Sequence, residues 1–325
     1  MTAYVIRRLL QAALVLFVMS LLVFFGVYLI GDPVEIFVAA DADQVERARA
    51  IAALGLDKPI WEQYTSFVQG ALGGDFGRSF VFGLPAVTLI LQRLPATLEL
   101  AFAAVFLTVV IGLPLGLWAG LRPDGFAGRT ILAGSILGFS LPTFWVGIML
   151  ILVFAVQLGW LPSNGRGPVA EFLGIKSSLF TVDGWRHLIL PAINLALLNI
   201  ALMIRLVRAG VREVLPLDYI RFARAKGLSW GRIVGVHVMK NIMLPVVTVL
   251  GLELGAVIAF AVVTESIFNW PGMGKLIIDS IQRLDRPVVV AYLMVTVAIV
   301  IFINLVVDVV YSLLDPRIRL KDLDH

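Results

Sequence analysis

The amino-acid sequence predicts an all-α integral membrane protein with six transmembrane helices. Of its 325 residues, 60% are hydrophobic and only 15% are charged, whereas soluble domains carry about 25% charged residues. The apolar residues form six long, nearly uncharged runs. A helix needs about 20 residues to cross a bilayer, and each run fits that requirement. Because these runs are continuous and do not alternate, they exclude a transmembrane barrel.

The six predicted spans differ in length. Their boundaries are 9–30, 98–121, 130–160, 188–204, 242–264 and 288–307. The first span follows two arginines, but it is too long for a signal peptide and no small-residue cleavage site follows closely, so we expect it to be retained. The third is long enough for a tilted helix with an interfacial end. The fourth is short, and Arg205 and Arg208 are expected to extend from its end to the interface.

The basic residues predict the orientation of the chain. With a cytoplasmic N-terminus, the inside segments carry 15 Lys and Arg, against 6 in the short outside loops. The long first outside loop is discounted, because the positive-inside rule applies to short loops. Most of the bias lies in residues 205–240, which hold eight basic and two acidic residues. Both termini are therefore expected to be cytoplasmic.

These boundaries predict four segments. Residues 1–30 hold the N-terminal end and first span, 31–94 an extracytoplasmic helical loop, 95–312 a single transmembrane core with a cytoplasmic segment at 213–240, and 313–325 a cytoplasmic tail.

Three helices are predicted within the first outside loop. They cover residues 43–54, 60–72 and 86–94. Asp41 or Asp43 is available as a cap for the first helix and Gly55 ends it, while Pro59 and Gly73 bound the second. The third has apolar residues on one face, which suits a helix lying on the membrane surface. Together they predict a small outer cap, with a loosely packed insertion as the alternative.

Several classes of function are excluded by what the sequence lacks. It has no G-x-x-x-x-G-K-[ST] phosphate loop, so this chain is not expected to hydrolyse ATP. It has no cysteine, which removes disulfides and thiolate sites, and its three histidines are far apart in sequence. Glu253 lies within the fifth predicted span, whereas Asp308 lies just beyond the end of the sixth, at the inner interface, so these two carboxylates are not expected to face each other as a catalytic pair. We therefore expect no catalysis and no metal or cofactor in this chain.

The cytoplasmic segment between the fourth and fifth spans predicts a short helix, a tight turn and a second helix. Asp218 is a candidate N-cap. Arg224 and Lys226 suit the negative end of the helix dipole, Gly227 supplies the left-handed stop, and Ser229 is available to cap the second helix. Such a rigid knob is able to fit a groove in a partner protein. The alternative is a basic loop lying on anionic lipid.

The first helix of this segment has about two turns, too short to be stable alone in water. It is therefore expected to dock on a partner over residues 219–226. Ala223 and Gly227 are small and four apart, so they share one face and allow close approach. Arg221 and Arg224 flank a face suited to acidic groups.

The segment resembles the cytoplasmic loop of binding-protein-dependent ABC importer permeases, E-A-A-x-x-x-G followed by nine residues and I-x-L-P. Arg221, Phe222 and Ala223 stand at the E-A-A positions and Gly227 matches the glycine, whereas 237–240 depart from I-x-L-P. That departure resembles the B-type subunits of the dipeptide, oligopeptide and nickel branch, whose loop is similar to residues 223–229 here.

Other strings along almost the whole chain carry the same resemblance. They lie at residues 4–9, 54–59, 74–79, 94–100, 142–147, 187–192, 270–274 and 314–317. Each string is weak evidence alone, but their order and spacing support one family.

The resemblance implies a type I importer permease fold and half of a translocation pathway for small peptides, in a bacterial cytoplasmic (inner) membrane. Nickel, glutathione and other small solutes are alternatives for the cargo. It also implies a second homologous permease, two ATPase subunits that bind ATP and magnesium, and an extracytoplasmic solute-binding protein. The residues implied to couple to the ATPases are Tyr219, Arg221, Ala223, Arg224, Ala225, Lys226, Gly227 and Ser229.

Glu253 is the candidate polar group of the fifth span, near the membrane midplane. A lone carboxylate there is either protonated or paired. Our hypothesis is that it lines the pathway or the dimer seam and that glutamine can replace it; the alternative is a neutral acid bonded to a neighbouring helix. Around it, Gly251, Gly255 and Ala259 form a small-residue stripe that favours close helix packing.

Four further sites leave two interpretations open. Asn194, Asn199 and Asn304 either line the path or bond across helices, and helix packing is favoured. The turn at Trp270, Pro271 and Gly272 either contacts the binding protein or forms an interfacial aromatic anchor.

An ion-coupled secondary transporter that uses Glu253 is the alternative from another class of protein. It is disfavoured because no inverted repeat is evident in the sequence.

Overall fold

The computed structural model of this chain describes residues 2–27, 43–53 and 56–314, which are mostly helical. The α-helices are Thr2–Val27, Gln44–Ala53, Ile60–Leu72, Ala86–Leu107, Leu113–Leu121, Phe126–Ser140, Thr143–Leu150, Val182–Val214, Asp218–Ala225, Trp230–Arg232, Met239–Phe260, Val262–Ile267, Met273–Gln282 and Arg286–Leu314. π-Helical turns cover Thr108–Gly112, Ile151–Gln157 and Ile233–Val238, and Ser178–Phe180 is a 3-10 turn. One antiparallel hairpin pairs Ala170–Phe172 with Ile175–Ser177.

Five described helices are long and apolar enough to cross a membrane. They are Ile6–Gly26, Ala86–Leu121, Val182–Val214, Trp230–Ile267 and Arg286–Val307. A bent pair, Phe126–Ser140 with Thr143–Gln157, makes a sixth span if it is counted as one. The all-α membrane fold is confirmed, and the count of six stays a prediction. Residues 28–30 of the first predicted span and 315–325 of the predicted tail lie outside the described residues.

The third predicted span is broken, not a single tilted helix. Its two halves meet at 104°. Pro142 starts the second half, and Leu141 before it is extended, with ψ at 134°. A residue that precedes proline is pushed out of the helical region by the proline ring, which accounts for the break.

The fourth span is longer than predicted. It runs for 33 residues, Val182–Val214, and the Thr181 hydroxyl accepts a 3.0 Å hydrogen bond from the Gly184 backbone amide at its start. Arg205 and Arg208 therefore lie within the helix and not beyond its end. The prediction stopped at the end of the apolar run, whereas the helical backbone bonds continue through the polar residues.

Two of the three predicted loop helices are confirmed. Asp43 Oδ1 accepts a 2.7 Å hydrogen bond from the Glu46 amide at the start of Gln44–Ala53, and Pro59 and Gly73 bound Ile60–Leu72. Asp41 and Gly55 lie outside the described residues. The separate surface helix at 86–94 was wrong, because the helix starting at Ala86 continues through Pro95 into the second span.

The chain divides into two compact units. One comprises Met1–Thr97 with Pro271–Ile301. In it, buried Asp285 accepts hydrogen bonds from the Ser79 hydroxyl and from the Phe80 amide, the latter at 3.0 Å. These bonds hold the loop before the second span against the segment that precedes the last helix.

The other unit comprises Leu98–Trp270 with Phe302–His325. Its core lies along the fourth span and continues into the segment that follows. The buried members are Met203, Val207, Val211, Val214, Ile220, Ala223, Ile233, Val238, Ile242 and Val246.

Three glycines of the second span let it approach this core. A Cβ at Gly112 would lie 2.9 Å from the Met203 side chain, one at Gly116 2.8 Å from that of Val207, and one at Gly120 2.6 Å from that of Val211. Since real Cβ atoms do not approach so closely, only glycine fits at these three positions. Small residues four apart are the common means by which membrane helices pack closely.

We predict that Gly116→Ala destabilises the protein by about 1–3 kcal/mol, the usual cost of overpacking a tight contact. The measurement is the melting temperature of the purified protein in detergent. Gly134→Ala is the matched control, because Gly134 is also helical and has open space around its Cβ position. Equal melting temperatures for the two variants would contradict the close contact.

Candidate functional site: the coupling segment and the polar groups of the spans

Residues 215–230 form the central part of the segment predicted to couple to the ATPases, here called the coupling segment, and they begin where the fourth span ends. The Leu217 amide donates to the Val214 carbonyl at 3.2 Å, and the helix Asp218–Ala225 follows. Leu217 occupies the N-cap position, so the prediction that Asp218 is the cap was wrong. Asp218 is the first helical residue and forms a 3.5 Å ion pair with Arg221 one turn on.

Gly227 ends this helix as predicted. Its φ is +77°, the left-handed conformation that glycine adopts without strain. The Leu228 amide donates to the Ala223 carbonyl at 3.2 Å, which closes the end of the helix. Ser229 occupies the N-cap position of the next helix, but no cap bond is made by its side chain. The segment thus has the predicted helix, turn and helix.

The inner face of the coupling helix packs against its own chain. Ile220 and Ala223 are buried in the same core as Val211, Val214 and Ile233. Ala223 therefore does not provide the surface for close approach of a partner, contrary to the prediction. Apolar Ile220 and Ala223, three apart, share a face that the core covers, whereas Gly227 is exposed beyond the helix.

The outer face of the coupling helix carries aromatic and basic side chains. Phe222 is 61% exposed, and Tyr219 lies beside it on the same face, three residues earlier. The Lys226 ammonium lies 4.6 Å from the centre of the Phe222 ring, and the Arg224 guanidinium 4.7 Å from that of Trp230. Desolvation raises the pKa of the Tyr219 phenol, so it remains a neutral hydrogen-bond donor at physiological pH.

Asn194 lies at a helix contact. Its side chain is fully buried, and Nδ2 donates a 2.9 Å hydrogen bond to the Thr264 hydroxyl of the fifth span. A Cβ at Gly147 would lie 3.4 Å from the Asn194 amide group and 3.2 Å from the Ile267 side chain, so the helix that carries Gly147 also packs closely there. This is the interhelical bonding that the sequence favoured. Asn199 is also buried.

Glu253 and Asn304 share a different setting. Each is half-buried, and neither has a hydrogen-bond or ion-pair partner within the described chain. A Cβ at Gly251 would run into Val307, so the fifth and sixth spans touch there. Because consecutive spans run in opposite directions, Glu253 and Asn304 lie at about the same depth, roughly one 1.5 Å helical step apart. The alternative interpretation, in which Glu253 bonds to a neighbouring helix, finds no partner for it among the described residues.

Trp270 is not available at the surface. Its side chain is fully buried and its amide donates to the Glu265 carbonyl at 2.8 Å. Gly272 is buried and Pro271 half-buried. The indole is thus neither a binding-protein contact nor an interfacial anchor. Both interpretations were wrong for the indole, because a tryptophan in a loop is equally compatible with a surface and with a core. A contact of half-buried Pro271 with the binding protein stays a prediction.

Three buried carboxylates were not predicted from the sequence. Glu99, Glu265 and Asp285 are each less than a tenth exposed. Glu99 lies in the string 94–100 that carries the family resemblance, but it was not predicted as a site residue. Glu265 follows the predicted end of the fifth span. No group of three metal-ligating side chains occurs among the described residues.

These features together define a multi-pass membrane protein whose fourth and fifth spans are joined by a short helix and a glycine turn. The chain belongs to the family of binding-protein-dependent transport system inner membrane components. That family matches residues 112–320, and its N-terminal counterpart matches residues 1–101. The protein is therefore a multi-pass inner membrane component of a transport system.

Curated relatives cover almost the full length. The chain is 38% identical to the dipeptide transport system permease protein of Escherichia coli, over 99% of this chain and 100% of that one. It is 40% identical to the di/tripeptide transport system permease protein of Pseudomonas aeruginosa, over 98% and 99%. It is 38% identical to the glutathione transport system permease protein of Escherichia coli, over 99% and 100%.

A solved structure shares the fold. The MetNI methionine ABC transporter in an inward-facing conformation matches with a TM-score of 0.54 and 17% sequence identity, over 70% of this chain and 97% of that chain. The likeness supports the predicted ABC permease fold.

We predict that Thr264→Val destabilises the protein by about 1 kcal/mol, because Asn194 then loses its partner inside the membrane. Melting temperatures in detergent measure the effect. Thr248→Val is the control, since the Thr248 hydroxyl donates to a carbonyl of its own helix and links no second helix. If both variants melt at the same temperature, the Asn194–Thr264 bond does not hold the spans together.

Proposed function

We propose that this chain forms half of the translocation pathway of an ATP-driven importer of small peptides delivered by a solute-binding protein. The observation that carries the proposal is identity of 38–40% to two peptide permeases over essentially the whole of each chain. The glutathione permease, named for a substrate that is itself a small peptide, is equally similar. Glutathione is therefore the second candidate solute.

The proposed partners are a second homologous permease, two ATPase subunits and an extracytoplasmic binding protein. ATP and magnesium are assigned to the ATPases, because this sequence has no phosphate loop. ATP binding closes the ATPase pair, the coupling segments move with it, and the spans alternate between two openings. The proposed topology has both termini and the coupling segment in the cytoplasm, as the basic residues favour.

The outer face of the coupling helix is the proposed docking surface for one ATPase. Exposed Phe222 and Tyr219 are aromatic anchors of the kind that dominate protein interfaces. Arg221, Arg224 and Lys226 surround them with positive charge, which favours an acidic rim on the partner. Ala223 packs in the core on the opposite side of the helix and so stabilises the position of this face. Gly227 supports it by ending the helix in the left-handed turn.

Glu253 and Asn304 are the proposed polar lining of the pathway at mid-membrane depth. An uncompensated polar group facing lipid is costly, so unpaired groups at this depth are expected to meet water, solute or the second permease. The hydrogen-bonding capacity of glutamine is then sufficient at position 253.

The direct test is uptake into vesicles that hold the full complex, with the binding protein and a radiolabelled dipeptide outside. ATP inside the vesicles should drive uptake, and reduced glutathione in excess measures competition by the second candidate. Uptake driven by a proton gradient without ATP would instead support an ion-coupled carrier. Vesicles that take up no peptide under either condition would overturn the proposed cargo.

We predict that Phe222→Ala lowers peptide-stimulated ATPase activity at least about tenfold, since losing an interface anchor costs about 2 kcal/mol or more. Phe126→Ala is the control, because Phe126 is an exposed phenylalanine outside the coupling segment. Melting temperatures of the isolated permease should be equal for both variants. Wild-type ATPase activity in Phe222→Ala would show that this face does not couple.

We predict that Glu253→Cys and Asn304→Cys react with a charged, membrane-impermeant thiol reagent, because a pathway admits water. The chain has no cysteine, so labelling has no background. Leu252→Cys and Phe302→Cys are controls, since these exposed apolar neighbours face elsewhere on the same helices. Equal labelling at all four positions, or none, would contradict a polar lining.

A further inference from the structure

The loop between the broken third span and the fourth span carries an amphipathic β-hairpin, residues 170–177. Phe172 pairs with Ile175 across the hairpin, and Glu171 pairs with Lys176 one step further from the turn. Successive residues of a strand point to opposite faces. One face is therefore apolar and the other charged, and the Glu171 and Lys176 side chains form a 3.8 Å ion pair.

The apolar face is exposed and its turn is unusual. Phe172 and Ile175 are 60% and 63% exposed, and Leu173 at the tip is 87% exposed. Leu173 and Gly174 both have positive φ, +51° and +79°. Hairpin turns of this type favour Asn or Asp followed by Gly, because a branched apolar side chain is disfavoured in the left-handed region. A leucine there is unfavourable both for the backbone and for an exposed position in water.

The hairpin is fixed at its base. Glu99 of the second span accepts a bidentate pair from Arg166, with Nε and Nη2 at 2.8 and 2.6 Å from its two oxygens. The Ser178 hydroxyl donates to the same carboxylate at 2.7 Å. Arg166 precedes the first strand and Ser178 follows the second, so this buried carboxylate holds both ends of the hairpin. These hydrogen bonds therefore fix the position of the hairpin and of its apolar tip.

Exposed apolar residues also lie in the adjoining segments, at the end of the third span and the start of the fourth. They are Val156, Leu158, Trp160, Val182, Trp185 and Ile189. Two of them are tryptophans, which concentrate at the boundary between lipid and water. The Trp185 indole donates to the Leu179 carbonyl at 2.9 Å, as expected of a ring with one polar edge.

We propose that the hairpin lies on the bilayer, with Phe172, Leu173 and Ile175 inserted among the lipid headgroups and upper acyl chains. Its amphipathic faces fit a membrane boundary, apolar towards lipid and charged towards water. A binding protein that docks and leaves would uncover the tip to water in each cycle, whereas lipid covers it continuously. Only the choice of the outer leaflet rests on the proposed function, because it uses the topology proposed there.

The test places an environment-sensitive fluorophore on Ile175→Cys and, separately, on Lys176→Cys. These neighbours are similarly exposed but lie on opposite faces of one strand. The full complex is reconstituted in nanodiscs of phosphatidylethanolamine and phosphatidylglycerol. Nitroxide-labelled lipid and aqueous iodide serve as the two quenchers. The Ile175 label should emit at shorter wavelength, be quenched by the lipid nitroxide and be shielded from iodide, and the Lys176 label should show the reverse.

Equal iodide quenching of both labels would overturn the proposal. Shielding of the Ile175 label that appears only after the solute-binding protein is added would also overturn it and would identify a protein-docking surface. Adding Leu173→Asn retains the left-handed turn, so the hairpin should stay folded while lipid quenching of the Ile175 label falls. None of these readouts measures transport, so failure here leaves the proposed function standing, and absent ATP-driven uptake leaves the lipid contact standing.

Discussion

The close contact between the second and fourth spans is the interaction on which the larger unit depends. Gly112, Gly116 and Gly120 remove side chains from one face of the second span, so the fourth span approaches to backbone distance. In a bilayer there is little hydrophobic drive between helices, and such close van der Waals packing is the main source of association. The core along the fourth span then continues without interruption into Ile220 and Ala223. The coupling helix is therefore an extension of the membrane core.

The second constraint is that polar groups inside a membrane need partners. Asn194 meets Thr264, and Glu99 meets Arg166 and Ser178. Each pair ties segments that are distant in sequence. Glu253 and Asn304 lack such partners within the described chain, which is why they are better suited to a wet pathway than to a structural contact.

Hydropathy and turn residues predicted most of the fold. Long apolar runs predicted the spans, and Gly227 and Pro59 marked ends that local backbone chemistry determines. Hydropathy alone did not predict the break at Pro142, because the break comes from the steric effect of the proline ring on Leu141. It did not predict the continuation of the fourth span to Val214 either, because the helical backbone bonds continue through polar residues. The sequence also contained the four-residue spacing of Gly112, Gly116 and Gly120, but a glycine stripe gives no indication of which helix it contacts.

The candidate site was predicted in position but not in orientation. The helix expected over 219–226 is present at Asp218–Ala225. The assignment of Ala223 to the partner side was wrong, because that face of the helix is buried in the core. The prediction that the Trp270 indole lies at the surface was wrong for the same reason. Its burial arises from tertiary packing, which the local sequence does not encode. The outward position of Phe222 follows only once Ile220 and Ala223 are known to point inward.

Hydrogen–deuterium exchange of the coupling helix most directly tests whether it is a fixed extension of the core. The permease is measured in nanodiscs without ATPase subunits. Amides of Asp218–Ala225 should exchange slowly, at rates like those of the last turn of the fourth span, because a helix packed on a core opens rarely. Fast exchange that slows only after the ATPases are added would contradict the account, since the helix would then form on its partner.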